Sequence, residues 1–140
     1  MLALDGVFDT GLATVLDAFQ TANELAELSN LPSRFEVTIV SVRKSVKSSQ
    51  GLTVPVRPIG SGVPECVVVP AIGYKMPEPL LRALETPEVR SATEVLQHWA
   101  HQGATMSAAC IGTFVMAEAG LLDRHQATTT WWLAPLFRTR

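Results

Sequence analysis

The sequence predicts an α/β domain with a doubly wound, mostly parallel sheet and helices on both faces. Three observations carry this. The apolar run Cys66-Val67-Val68-Val69 between Pro64 and Pro70 has the character of a parallel strand buried on both sides. Segments of helical spacing alternate with segments of strand character along the chain. The small-residue stretch Ala104 to Ala109 gives way at Cys110 to a helical pattern, as a strand, a sharp turn and a helix would.

In chain order, Leu2-Ala3-Leu4 reads as the tail of a buried strand. Asp5-Gly6-Val7-Phe8-Asp9-Thr10-Gly11 is rich in turn residues and is expected to be a loop. From Leu12 the positions Val15, Leu16, Phe19, Ala22, Leu25, Ala26 and Leu28 follow helical spacing to about Ser29, and Asn30-Leu31-Pro32-Ser33 breaks it. Phe35 to Val42 alternates at period two with many β-branched residues, which predicts a strand with one solvated face. Ser48-Ser49-Gln50-Gly51 is a turn between two short extended pieces, and Pro55 keeps the second away from the middle of a sheet. A short helix is expected over Pro77 to Leu84. Thr86 can cap a second helix with Pro87 in its first position, carried to about His101 by Val89, Ala92, Val95, Leu96 and Trp99 and stopped by Gly103. Gly120 ends the helix that follows Cys110.

A chain of 140 residues, 47% hydrophobic and 17% charged, fits one globular domain. Its apolar runs are too short to span a bilayer, and its start lacks the basic and apolar regions of a signal peptide, so a cytoplasmic protein is expected. Net charge of −2 and a pI near 5.9 leave no electrostatic footprint for nucleic acid. The cluster Arg43-Lys44-Ser45-Val46-Lys47 is expected to be a solvated loop. Cys66 and Cys110 suggest neither a disulfide framework nor a zinc site, so two free thiols and no metal are expected.

At the apex of the corner, Cys110 would meet free backbone N–H groups that favour a thiolate and can hydrogen-bond an oxyanion. Ala108, Ala109 and Gly112 supply the small bulk such a corner needs. The competing reading is a small buried hydrophobe, the commonest fate of a lone cysteine. In a sheet of this kind ligands collect beyond the carboxyl ends of the strands. Those ends are Asp5 to Gly11, Ala71 to Tyr74 and Cys110 to Gly112, and the segment from Asp123 to Trp132 is placed to close the cleft.

Ala108-Ala109-Cys110-Ile111-Gly112-Thr113-Phe114-Val115-Met116-Ala117-Glu118-Ala119-Gly120-Leu121-Leu122-Asp123 with Ala127-Thr128-Thr129 resembles the glutamine-amidotransferase-like (PfpI-type) sensor domain of AraC-family transcriptional regulators. Leu4 to Asp9, Leu16 to Phe19, Ser49 to Val54 and Val68 to Pro70 fit the same pattern. The resemblance implies a flavodoxin-like, class I amidotransferase-like fold over residues 1–140, truncated at its C-terminus. It further implies a homodimer and a DNA-binding region with two helix-turn-helix motifs downstream, so that DNA is contacted only through that missing region.

In the wider superfamily the resemblance makes Cys110 the nucleophile, the amides near Gly73 and Ile111 an oxyanion site, and an early carboxylate the cysteine's partner, with Asp9 the candidate and Asp17 its competitor. Two departures bear on function. Thr130 stands where the family usually carries histidine, and a threonine cannot take and return a proton near neutral pH. His125 lies in the wrong part of the motif, and His98 and His101 sit on a helix. Ala71 stands where glycine is frequent. The chain also stops at Arg140, with no closing element evident. The first expectation is therefore a ligand sensor without catalysis, whose small-molecule effector meets Asp9, Gly73, Tyr74, Cys110, Ile111, Thr130 and Trp131, with no cofactor. The alternatives are a cysteine-dependent hydrolase, hydratase or glyoxalase-like enzyme using Asp9 in place of histidine, and an interaction domain with a vestigial pocket.

Overall fold

The computed structural model describes residues 1–32 and 34–140; Ser33, the last residue of the expected helix break, lies outside them. Among the described residues, helix α1 (Asp9–Leu28) precedes five short strands, β1 (Val40–Ser41), β2 (Val46–Lys47), β3 (Thr53–Val54), β4 (Arg57–Pro58) and β5 (Cys66–Val69); helices α2 (Pro77–Leu84) and α3 (Pro87–His101), strand β6 (Thr105–Ala108) and helix α4 (Gly112–Glu118) follow. A 3-10 turn, Trp131–Leu133, leads into α5 (Ala134–Phe137).

The Leu2 segment joins these strands into one parallel layer. Leu2 bridges Val40 in parallel, its N–H donates to Val68 O at 3.0 Å, and Ala3 N–H donates to Val40 O at 2.9 Å. With β1 paired to β4 and β5 paired to β6, both parallel, the spatial order is β4, β1, the Leu2 segment, β5, β6. Alternation along the central segment then sorts the core. Leu2 and Leu4 join Val67, Val69, Leu80, Leu96, Phe114 and Leu133 in the larger cluster, under α2, α3 and α4. Ala3 points the other way, to Leu12 of α1 and to Val46 and Val54 of the hairpin. Helices thus cover both faces, as the sequence predicts.

Local signals hold closely for α2 and α3. Pro77 opens α2 and Pro87 opens α3, and the Thr86 hydroxyl accepts from Val89 N–H at 3.4 Å as the N-cap of α3. Gly103 and Gly120 take φ of +92° and +66°, the left-handed conformation that glycine permits beyond a helix end.

Three expectations are corrected. Helix α1 begins at Asp9, not Leu12: Phe8 N–H is held by Ala71 O at 2.8 Å, and Phe8 O accepts from Leu12 N–H at 2.9 Å, so the helix starts as soon as the chain leaves the sheet. The strand expected over Phe35 to Val42 is reduced to Val40–Ser41, where Val40 pairs with Leu2 and Arg57. Met1 N donates to Thr38 O at 2.7 Å, and among the described residues no strand lies beside Phe35 to Val37. The basic cluster is not simply solvated, since Arg43 pairs with Asp5 and Glu88 and Val46–Lys47 forms β2. The 131–140 segment packs back on the domain: Leu133 is fully buried, Phe137 meets Phe114 edge-on at 4.9 Å, and Arg140 Nη2 lies 3.1 Å from Glu118 Oε1.

Candidate functional site

Cys110 stands two residues beyond the β5–β6 ladder, which ends at Ala108. Ala109 N–H still donates to Val69 O at 2.9 Å, after which the backbone turns at Cys110 with φ +53°. Such a conformation costs an L-residue roughly 1–2 kcal/mol and persists only where its surroundings impose it. Gly112 shows what imposes it. A Cβ on Gly112 would lie 2.3 Å from Val69 O and 2.8 Å from Pro70 O, so helix α4 starts pressed against the end of β5. The thiol is exposed and free rather than buried, which removes the small-hydrophobe reading.

Two threonines clasp the corner from behind. Thr113 Oγ1 lies 2.8 Å from Cys110 O and 2.9 Å from Thr129 Oγ1, and Thr129 Oγ1 lies 3.3 Å from the same carbonyl. Sequence reasoning did not find Thr113 as a support. Its signal was there: a hydroxyl three residues after the turn residue is placed to bond back to that residue's carbonyl.

The other candidate residues fall into two groups around this corner. Thr130, half-buried, precedes the 3-10 turn, and its carbonyl accepts from Leu133 N–H at 3.1 Å. Trp131 is 82% exposed and packs edge-on against Trp132, whose Nε1 donates to Lys75 O at 2.9 Å. The Thr129 to Trp132 segment therefore bridges the elbow and the loop after β5. Ile111 is buried, and its N–H has no protein acceptor among the described residues. Gly73 N–H donates to Gly6 O at 2.7 Å, so that amide is already engaged. A Cβ at Gly73 would lie 2.3 Å from Ser49 Cβ, so glycine is needed where these loops meet. Tyr74 is exposed and its ring lies over Gly6.

Asp9 belongs to the hairpin side. Its carboxylate accepts from Ser49 Oγ at 2.8 Å and Gln50 N–H at 3.1 Å. Hydrogen bonding from the Ser48 hydroxyl, together with Ser49 and Gln50, holds its carboxyl below the ordinary aspartate range. No hydrogen bond joins it to Cys110 among the described residues. Asp17 is exposed on α1, His98 and His125 are exposed, and His101 Nδ1 lies 2.8 Å from Gln97 O on α3; among the described residues no histidine is hydrogen-bonded at the corner. Among the described residues no cluster of three metal-ligating side chains occurs, and no helix is long and apolar enough to cross a membrane.

The arrangement is a left-handed, exposed cysteine between a parallel strand and a helix, with a partly closed rim and no base in hydrogen-bond contact. No family model matches the sequence, and no curated protein matches it. Solved structures do. A protein from Vibrio parahaemolyticus described as a transcriptional regulator superposes with a TM-score of 0.69 at 23% identity, over 99% of this chain and 69% of its own. A protein from Bacteroides thetaiotaomicron described as protease I superposes with a TM-score of 0.57 at 19% identity, over 86% of this chain and 66% of its own. The fold is thus the flavodoxin-like, amidotransferase-like α/β sandwich. The fold is the one that the sequence resemblance implies.

Proposed function

We propose that this chain is the ligand-sensing domain of an AraC-type transcriptional regulator, which binds a small metabolite at the Cys110 corner without turning it over. The observation that carries this is the corner itself: Cys110 turns with φ +53° and, among the described residues, no histidine is hydrogen-bonded to it, while the Gly73 amide is engaged by Gly6 O; the resemblance adds that Thr130 stands where the family usually carries histidine. Acyl transfer needs a base that can take and return a proton and donors aimed at the oxyanion. Binding needs only shape and a few directed groups, which the thiol, the Ile111 amide, Thr130 and the exposed indole of Trp131 supply. The superposition on a protein described as a transcriptional regulator supports the same reading. Homodimerisation, and a DNA-binding region beyond Arg140, are parts of it.

One observation favours a second reading, a cysteine-dependent enzyme. The free Ile111 N–H beside an exposed thiol is the start of an oxyanion site, and one structural neighbour is described as protease I. Turnover assays separate the two. The protein is offered a simple amide, an ester and an α-oxoaldehyde, alongside Cys110→Ala. No Cys110-dependent turnover is expected of a sensor; turnover that vanishes in Cys110→Ala overturns it.

A further inference from the structure

A cavity of about 470 Å³ lies at the carboxyl ends of the Leu2 segment and β1, under the first turn of α3; of the residues expected around Cys110, Tyr74 alone lines it. Its floor is apolar, formed by the buried Leu4, Ile72 and Val89. Its rim carries three charges, Asp5, Arg43 and Glu88, and the hydroxyl of Tyr74. We propose that this cavity binds a small zwitterion, an α-amino acid with an aliphatic side chain.

The charges are fixed in place by backbone. Lys47 N–H donates to Asp5 Oδ1 at 2.8 Å, and Asp5 N–H donates to Glu88 Oε1 at 2.8 Å. Each carboxylate turns its other oxygen to the same nitrogen, Arg43 Nη1, at 3.2 Å from Asp5 and 3.5 Å from Glu88. A guanidinium has five N–H donors in a rigid fork. Arg43 uses one nitrogen of that fork, so Nη2 and Nε have no protein acceptor among the described residues, and its side chain stays 51% exposed. The Tyr74 hydroxyl likewise has no protein hydrogen-bond partner among them.

A pair of carboxylates and one half-used guanidinium discriminate by charge pattern. A lone anion on the free edge of Arg43 would face both carboxylates, and a lone cation on the carboxylates would face the guanidinium. A molecule that carries ammonium and carboxylate on one carbon answers both: the carboxylate takes the Arg43 fork and the Tyr74 hydroxyl, and the ammonium takes the remaining lone pairs of Asp5 and Glu88. The side chain then covers Leu4, Ile72 and Val89. The site lies where ligands of doubly wound sheets collect, and its volume falls within the range of small-molecule pockets. This inference does not rest on the role of Cys110.

Thermal melts and titration calorimetry of residues 1–140 test it with glycine, L-alanine, L-valine and L-leucine, and with the two halves of leucine, isoamylamine and 4-methylpentanoate. L-Leucine is expected to raise the Tm, and glycine less, because only leucine covers the floor; neither half-molecule is expected to match it at equal concentration. Arg43→Gln is expected to remove the leucine shift. Tyr74→Phe, which keeps the ring and so the fold, is expected to weaken leucine binding severalfold. No shift with any of the four amino acids overturns the proposal. So does an isoamylamine shift equal to that of leucine, which would make this an amine site, or a leucine shift that survives in both variants, which would place the binding elsewhere.

Discussion

The elbow depends on a contact that a single methyl group would destroy, and Gly112→Ala measures it. The added carbon would sit 2.3 Å from Val69 O and 2.8 Å from Pro70 O, where ordinary carbon–oxygen contact is about 3.3 Å or more. Both obstacles are backbone atoms at the end of the central β5 strand, so no side chain can swing aside. Helix α4 must move off β5 by about 1 Å, which disturbs the seat of Phe114 and Val115, both fully buried. Overpacking of this kind costs about 1–3 kcal/mol and occasionally more, and the rigidity of the obstacle points to the upper end. Alanine's better helix propensity offsets at most about 1 kcal/mol of it. The expected result is a loss of about 3 kcal/mol in urea unfolding and a Tm lower by about 10 °C for a chain of this size. Gly60→Ala is the control, because nothing lies within 4 Å of its added carbon; its stability is expected to stay within about 0.5 kcal/mol of the parent or to rise slightly. A Gly112→Ala protein that melts within about 2 °C of the parent would refute the steric account of the corner.

Two further outcomes follow from the same geometry. Cys110 holds φ +53°, which glycine adopts without steric penalty, so Cys110→Gly is expected to be more stable than Cys110→Ala by about 1 kcal/mol in urea unfolding; equal stabilities would mean that the left-handed turn carries no strain. Asp9 has its carboxyl held below the ordinary value of 3.8, so the stabilisation of the Ser48 to Gly51 turn is present above the ordinary aspartate range and lost as pH falls through the lower, folded value. The Gln50 amide resonance, followed by NMR on acidification, is expected to titrate with a midpoint below 3.8, and a midpoint at or above it would contradict the hydrogen bonds drawn to Asp9.

By itself, the sequence determined what short-range chemistry decides. The caps at Thr86 and Pro87, the stops at Gly103 and Gly120, the hairpin around Gly51, the strand from Cys66 to Val69 and the turn at Cys110 all act through neighbours a few residues away, and all stand where the sequence puts them, although Cys66 is exposed and Val68 half-buried rather than both being buried. The order of strands and helices then followed, because buried apolar runs and alternating helices leave few other ways to close a core. Tertiary structure decided whatever depends on a distant partner. Phe35 to Val37 have strand character yet form no strand, because strand formation needs backbone alongside as well as β-branched side chains. Asp9 entered the helix because Ala71 O, more than sixty residues away, holds Phe8 in place. The candidate site divides in the same way. Cys110 was legible as an elbow from small residues around it, but its clasp by Thr129, the engagement of the Gly73 amide by Gly6, and the grouping of Asp5, Arg43 and Glu88 around a cavity were not. Each joins residues brought together by sheet order rather than by chain order, and only packing of the central strand against its neighbours sets their distance.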